Sequence, residues 1–368
     1  MRVLISGGGT GGHINPALNI ANEILEREKN SVIEFIGTAH GMEGTLIPKE
    51  GYKIHYVKVQ GFKRKISLSN VKAAFRAVTS IAEAKKIIKK FKPDIVIGTG
   101  GYASWPTLKA AASLGIPTII QEQNAFPGMT TKKLSKYVDK ICISFASSEK
   151  YFPEKAKDKL ILTGNPIKTN RLTKKEARKM LNIADNEVYI LSTGGSLGAD
   201  KLNTFVLDAM EINMKIPNLK HTHALGKSGW EKFIKIAEEK KLLDNKNYEI
   251  LEYIYDMPVR QAAADIIVNR AGAMTTSEIA AIGGVATIFI PSPNVTDDHQ
   301  YKNAIALKQE GAAEVFRESV VDGVILAKTI KDLINNPEKR EELAKNMGKF
   351  GKPDATKIIV DEVYKLLK

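Results

Sequence analysis

Val3-Leu4-Ile5-Ser6-Gly7-Gly8-Gly9-Thr10-Gly11-Gly12-His13 opens the chain with an apolar run that passes straight into glycine. The same event recurs half a chain later, where Val188-Tyr189-Ile190-Leu191 leads into Gly194-Gly195-Ser196-Leu197-Gly198-Ala199. In each case a buried strand is expected to hand over to a helix. The small residues of such a turn let backbone N–H groups and a helix N-terminus approach an anion closely. One turn of this kind is common. One at the head of each half predicts two nucleotide-binding-type domains facing a shared cleft.

The pattern between the turns agrees. Strand-length apolar runs recur at residues 3–6, 32–36, 54–57, 95–98, 118–120, 140–143 and 160–162, with helix-period segments such as 16–28, 69–91 and 107–114 between them. A second series runs through 188–191, 220–224, 248–251, 266–268 and 286–290. Apolar strands alternating with amphipathic helices specify an α/β fold, a parallel sheet covered on both faces, and here it happens twice. Ligands of such sheets bind at the carboxyl ends of strands, where both glycine turns sit. The boundary is expected near Gly164-Asn165-Pro166, giving a first domain over 1–166 and a second over 167–351. Residues 352–368, with a last helix from Ala355, are expected to pack back across the junction.

Composition sets the outer limits. The 368 residues are 43% apolar and 26% charged, an ordinary globular balance with room for two cores. No run of about 18 apolar residues is present to span a bilayer, and the apolar part of the N-terminus is short for a signal peptide. The single cysteine, Cys142, lies in the strand-like Ile141-Cys142-Ile143 and is expected to be a small buried hydrophobe. These features predict a cytoplasmic protein. The net charge of +14 gathers in the first half: residues 1–170 hold 26 Lys and Arg against 13 Asp and Glu, and residues 171–368 hold 29 against 28. Residues 63–92 carry ten basic residues and one acid, Glu83. Such a face suits a membrane leaflet or nucleic acid, or is lysine decorating solvated helices.

Gly7-x-Gly9-x-x-Gly12 matches the dinucleotide fingerprint formally. Two details argue against NAD: His13 follows at once, and the second strand ends Phe35-Ile36-Gly37-Thr38 without the expected acid. A histidine at a helix start among glycines is expected to face a cleft. Gly98-Thr99-Gly100-Gly101-Tyr102-Ala103-Ser104 and Glu122-Gln123-Asn124-Ala125-Phe126-Pro127-Gly128 follow two further strands, so three polar loops share one rim. That rim suits a diphosphate held by N–H groups and a sugar held by amide side chains. In the second half, Asn269 to Glu278 leads from a strand into a helix. Glu278 is expected in its first turn, either as part of an N-terminal cap with Ser277 or accepting both hydroxyls of a ribose. Asp297, Asp298 and His299 are consecutive, a poor geometry for one metal ion. No complete Walker Gly-x-x-x-x-Gly-Lys-Ser/Thr, His-Glu-x-x-His or Cys-x-x-Cys occurs. Gly226-Lys227-Ser228 lacks the earlier Walker glycine, and Gly194-Gly195-Ser196-Leu197-Gly198 matches the Gly-x-Ser-x-Gly spacing only formally, as part of the second glycine turn.

Taken in order, Gly7–His13, Gly100-Gly101-Tyr102, Glu122-Gln123-Asn124, Gly164-Asn165-Pro166, Gly194–Ala199, Arg270-Ala271-Gly272-Ala273 and His299-Gln300 resemble the MurG family over nearly the whole chain. These are cell-wall N-acetylglucosaminyltransferases that convert lipid I to lipid II. The resemblance implies a GT-B architecture, two Rossmann-like domains with an interdomain cleft. It also implies UDP-N-acetylglucosamine as donor and undecaprenyl-pyrophosphoryl-N-acetylmuramoyl-pentapeptide as acceptor, with no cofactor and no metal.

The family pattern further implies that Ser196 and neighbouring amides hold the donor diphosphate and the backbone of Ile254 meets the uracil. Ala273, Met274, Thr275, Thr276, Ser277 and Glu278 line the nucleotide, Glu278 on the ribose. Gln300, with His299, holds sugar hydroxyls. Thr10, Gly11, Gly12 and Asn124 border the donor sugar and acceptor. Lys168 stands where members often carry arginine, keeping the charge without the bidentate fork. An α-linked donor and β-linked product imply a single inverting displacement, with His13 as the base, or as a group that positions the acceptor diphosphate. A lipid-linked acceptor implies peripheral attachment to the anionic cytoplasmic leaflet, through the charges of 62–92 and some of Phe62, Val71, Phe75, Val78, Ile81, Ile88, Phe91 and Trp105.

Rival readings remain distinguishable. A UDP-sugar-dependent diacylglycerol glycosyltransferase would share the donor residues and differ in the N-terminal loops. A UDP-N-acetylglucosamine 2-epimerase would need no basic, apolar face. A nucleotide-sugar-binding regulator would tolerate loss of His13. A nucleic-acid partner is not expected, since aromatic and basic residues do not interleave on a strand platform. Nothing in the sequence specifies an oligomeric state.

Overall fold

The computed structural model describes residues 1–59, 68–168 and 172–368, the side chains of 68–78 and of Thr296 excepted. The chain forms two compact units, Met1–Lys168 with Lys352–Lys368, and Thr169–Gly351.

The first unit runs β1 (Arg2–Gly7), α1 (Gly11–Arg27), β2 (Val32–Gly37), α2 (Glu43–Lys49), β3 (Lys53–Tyr56), α3 (Leu68–Phe91), β4 (Ile95–Gly100), α4 (Ser104–Ser113), β5 (Thr118–Glu122), α5 (Met129–Leu134), β6 (Lys140–Ile143) and β7 (Leu160–Leu162). Its seven strands are parallel in the order β3-β2-β1-β4-β5-β6-β7. Period-two alternation sends successive side chains to opposite faces. Leu4, Val96, Ile120 and Ile141 pack under α3 and α4 with Ile88, Phe91 and Leu108. Val3, Ile5, Ile97, Ile119 and Cys142 pack on the other face, under Ile14 and Ile20 of α1.

Helix α1 begins at Gly11, two residues before His13 and five before the helix-period segment 16–28. Thr10 is extended and its carbonyl accepts from the N–H groups of His13 and Ile14, so the glycine run itself makes the first turn. Pro16 deletes one helical bond there. Of the apolar residues expected to reach lipid, Ile88 and Phe91 are buried in this core and Ile81 packs against it. Phe62, Val71, Phe75 and Val78 lie outside the described side chains.

The second unit runs α6 (Lys174–Met180), β8 (Val188–Thr193), α7 (Asp200–Ile212), β9 (Leu219–Ala224), α8 (Trp230–Glu239), β10 (Tyr248–Leu251), α9 (Met257–Ala263), β11 (Ile266–Asn269), α10 (Ala273–Ile282), β12 (Ala286–Phe289), α11 (His299–Gln309), β13 (Glu314–Val315), α12 (Gly323–Asn335) and α13 (Pro337–Gly348). Its parallel sheet is ordered β10-β9-β8-β11-β12-β13. Strand β13, two residues beside Ile288 and Phe289, is too short to leave a periodic signal. Ile190, Val268 and Ile288 of the sheet pack with Phe205, Met210, Phe233, Leu326 and Ile330 of α7, α8 and α12.

Helix α14 (Ala355–Leu366) belongs to the first unit. Ile359, Val360 and Val363 complete the face covered by α1, and Arg27 pairs with Asp361 at 2.5 Å. Gly164, at φ +87°, makes the turn beneath it, where a Cβ would collide with Lys352. The Thr356 hydroxyl donates to the Ile167 carbonyl at 3.1 Å.

Candidate functional site

In both sheets the strand order reverses beside the first strand, between β1 and β4 and between β8 and β11. Helices leave such a point to opposite faces and open a crevice at the strand carboxyl ends. Both glycine turns lie at these ends.

In the first unit Gly7 and Gly100 are in register across the reversal. Gly101, at φ +84°, lies so close that a Cβ would strike the backbone of Gly8. Helix α1 has neither a side-chain cap nor an acid in its first turn, and Thr10 and Gly12 are exposed with Gly11 half-buried. The acid missing from the end of β2 arrives six residues later. Buried Glu43, the first residue of α2, accepts from Gly9 N–H at 2.7 Å and from the Thr38 N–H and hydroxyl at 2.9 and 2.7 Å. Burial pushes its carboxyl up, but these bonds outweigh that and hold it below the usual range. Glu43 thus fastens the glycine turn through its backbone.

His13 is half-buried where the three loops meet. Its Nδ1 lies 2.9 Å from the Thr99 carbonyl and 2.9 Å from Gln123 Oε1, and the Thr99 hydroxyl donates to the His13 carbonyl at 2.7 Å. A Cβ on Gly100 would meet the imidazole ring. Asn124 is fixed by Glu122, whose carboxylate accepts from its N–H and side-chain amide at 3.0 and 3.2 Å and from Gly128 N–H at 3.0 Å. Asn124 is partly exposed, whereas the Gln123 amide is buried and spent inside the protein. Lys168 is exposed, two residues after Pro166, whose carbonyl accepts from Asn19 at 2.7 Å.

In the second unit, Gly195 and Gly198 take φ of +93° and +86°, and a Cβ on Gly198 would collide with the Leu225 carbonyl. Ser196 stands exposed on the turn, its carbonyl accepting from Lys227 N–H at 3.4 Å. Helix α7 follows without a side-chain cap, and its first-turn acid, Asp200, pairs with Lys232 at 2.9 Å. Ile254 is buried between Tyr253 and Tyr255, whose rings meet at 4.9 Å.

Across the reversal, Arg270 braces the β11 turn by donating to the Ile290 carbonyl at 2.8 Å and pairing with Glu318 at 2.5 Å. Helix α10 starts at Ala273, capped by extended Gly272. Glu278 is therefore its sixth residue, beyond the first turn where the dipole acts, and neither it nor Ser277 caps the helix. Thr276 is buried and donates to the Ala273 carbonyl at 2.9 Å, while Met274, Thr275 and Ser277 are partly exposed. The Glu278 carboxyl meets no hydrogen-bond donor among the described residues, and burial lifts it to about 7. His299 and Gln300 open α11 rather than closing a loop, and Gln300 Oε1 accepts from Ser292 N–H at 2.9 Å. Asp297 and Asp298 make the preceding turn in the left-handed region. Among the described residues, no three His, Cys, Asp or Glu side chains converge as metal ligands.

Sequence reasoning missed Glu43, the Gln123 contact and the Arg270–Glu318 brace. Glu43 carried one faint signal, a carboxylate just after a strand end flanked by glycines.

The chain was compared with known proteins. Residues 3–143 match the glycosyltransferase family 28 N-terminal domain and residues 189–359 its C-terminal domain. A UDP-N-acetylglucosamine–N-acetylmuramyl-(pentapeptide) pyrophosphoryl-undecaprenol N-acetylglucosamine transferase of Thermoanaerobacter sp. is 44% identical over 370 residues, covering 100% of this chain and 99% of its own. The crystal structure of Acinetobacter baumannii MurG superposes with a TM-score of 0.80 at 30% identity, over 99% of each chain. A UDP-GlcNAc 2-epimerase from Neisseria meningitidis bound to UDP-GlcNAc gives 0.64 at 18% identity, over 99% of this chain and 100% of its own, a likeness of fold alone.

Proposed function

The chain belongs to glycosyltransferase family 28, among the N-acetylglucosaminyltransferases of the MurG kind, and we propose that it moves N-acetylglucosamine from UDP-N-acetylglucosamine to lipid I, giving lipid II for peptidoglycan. The observation that carries this reading is 44% identity to such a transferase over the full length of the chain, joined to the convergence of three loops on His13.

The donor belongs to the second unit. The N–H groups of the Gly194–Ala199 turn and the positive end of α7 suit its diphosphate, and the negative charge that gathers on departing UDP. Ile254 meets the uracil through its backbone. Ala273–Glu278 line the nucleotide, with the Glu278 carboxyl, which meets no donor among the described residues, accepting from the ribose. Gln300, its oxygen engaged with Ser292, offers its NH2 to sugar hydroxyls, beside His299. The acceptor belongs to the first unit, against Thr10, Gly11, Gly12 and Asn124, with Lys168 near the diphosphate. The acceptor oxygen attacks the anomeric carbon, the bond to UDP breaks with its electron pair leaving on the phosphate oxygen, and the hydroxyl proton passes to His13.

Besides residues 62–92, the first unit offers a second place for attachment to an anionic inner leaflet. Trp105, Tyr137 and Tyr151 line a cavity of about 610 Å³ with Lys132, Lys133 and Lys136, and Met129 beside them is exposed. Aromatic bodies suit the headgroup boundary and lysines suit anionic lipid. Among the described residues no helix is long and apolar enough to cross a membrane.

The test is transfer of labelled N-acetylglucosamine from UDP-N-acetylglucosamine to a lipid I analogue, with EDTA present. Robust transfer by the wild type that collapses in His13→Ala, with donor binding intact, is expected. Transfer surviving the mutation would remove His13 as base. Donor binding with no transfer to lipid I would redirect the reading to diacylglycerol acceptors.

A further inference from the structure

An imidazole takes a proton only on the nitrogen that does not already carry one, so the use of His13 depends on its tautomer. Nδ1 faces the Thr99 carbonyl and Gln123 Oε1. A backbone carbonyl only accepts. The direction of the Gln123 amide is fixed independently. Its Nε2 sits among three acceptors: the Thr99 and Gln121 carbonyls at 2.8 and 3.2 Å, and the Gln121 side-chain oxygen at 2.5 Å. The NH2 must occupy that end, which turns the oxygen toward the ring. Gln121 is oriented in turn, because its Nε2 donates to the Glu122 carbonyl, Ser144 Oγ and Asn165 Oδ1 at 3.1, 3.0 and 3.1 Å. Asn165 Nδ2 closes the circuit on the Gln123 carbonyl at 3.0 Å. All three amides are buried.

We infer that Gln123, held by Gln121 and Asn165, is a positioning residue that keeps the proton of neutral His13 on Nδ1 and the lone pair on Nε2. Both partners of Nδ1 accept, so Nδ1 must donate. Gly100 leaves room for the ring in that pose. Where serine-protease triads use a carboxylate at this place, an amide orients the ring without a full negative charge beside it. The consequence for turnover rests on His13 being the base; the tautomer itself does not.

The test is nitrogen-resolved NMR of the full chain with labelled histidine, the His13 signals being identified by their loss in His13→Gln. A pyrrole-like Nδ1 and a pyridine-like Nε2 are expected; protonated Nε2 in the neutral ring would overturn the inference. Gln123→Met removes the acceptor at similar volume. With the Thr99 carbonyl still accepting from Nδ1, the substitution should weaken the bias and raise the Nε2–H fraction, and lower kcat about tenfold, with the KM for UDP-N-acetylglucosamine unchanged. Gln121→Met, which frees Gln123 to turn, should move both readouts the same way by less. Wild-type tautomer and kcat in both variants would remove Gln123 from this role. Should Gln123→Met fail to fold by circular dichroism, the wild-type spectrum and Gln121→Met decide. The expected tautomer together with transfer surviving in His13→Ala would sink the base and leave the positioning intact.

Discussion

Burial lifts the Glu278 carboxyl to about 7, so near neutrality it is divided between an acid and a carboxylate. Ribose hydroxyls donate, and the ionised form accepts them better. Donor affinity should therefore fall as the pH drops below about 7 and level off above it. The KM for UDP-N-acetylglucosamine, followed across that range, should show this limb in the wild type. Glu278→Gln should raise KM about tenfold or more and lose the limb. A flat wild-type profile would take Glu278 off the ribose. Position 278 was readable as an acid near a strand–helix turn. Its depth in α10 was not, because Ser277-Glu278 imitates a cap while the true start, at Gly272, has no side chain to announce it.

Elements set harder limits than single contacts. Glu43→Ala leaves the Gly9 N–H and both Thr38 donors without their acceptor, a loss of about 1–3 kcal/mol, measurable by chemical denaturation. With the folded-state pKa below the usual value near 4.5, the Glu43 contribution is present above that value and disappears as the pH falls through the folded one. Strand β9 carries the opposite residue type with a similar outcome. His221 and His223 are fully buried around Ser192 Oγ, at 2.8 and 2.9 Å, and burial pushes them down to about 3 and about 4. Between about 6.5 and 4 the unfolded chain binds protons that the folded one refuses, so stability falls with falling pH there. Thermal melts of the second unit should drop across that window, and His223→Gln should lessen the dependence while His221 keeps part of it. The strands themselves were legible because alternation and glycine turns are local signals. The Glu43–Gly9 contact spans 34 residues and joins a side chain to a bare amide, which no pattern records.

At the scale of the molecule, charge and connectivity matter more than any one loop. If the aromatic and lysine cluster around Trp105 rests on lipid, replacing Lys132, Lys133 and Lys136 by Glu should abolish sedimentation with anionic vesicles. Turnover of a water-soluble acceptor analogue should stay near wild type. The closing helix α14 makes a separate demand. Ile359→Ala should cost about 2–5 kcal/mol in the first unit, and a chain ending at residue 351 should lose that unit's cooperative melt while keeping the second. During synthesis the same arrangement imposes a delay. At about 5–20 residues per second, roughly 10 to 40 s separate the end of residues 1–168 from the arrival of 352–368. For that interval the nascent first unit holds Val3, Ile5 and Ile97 beneath an incomplete roof, so a holdase or the ribosome surface has its best chance to bind this chain before its last helix is made.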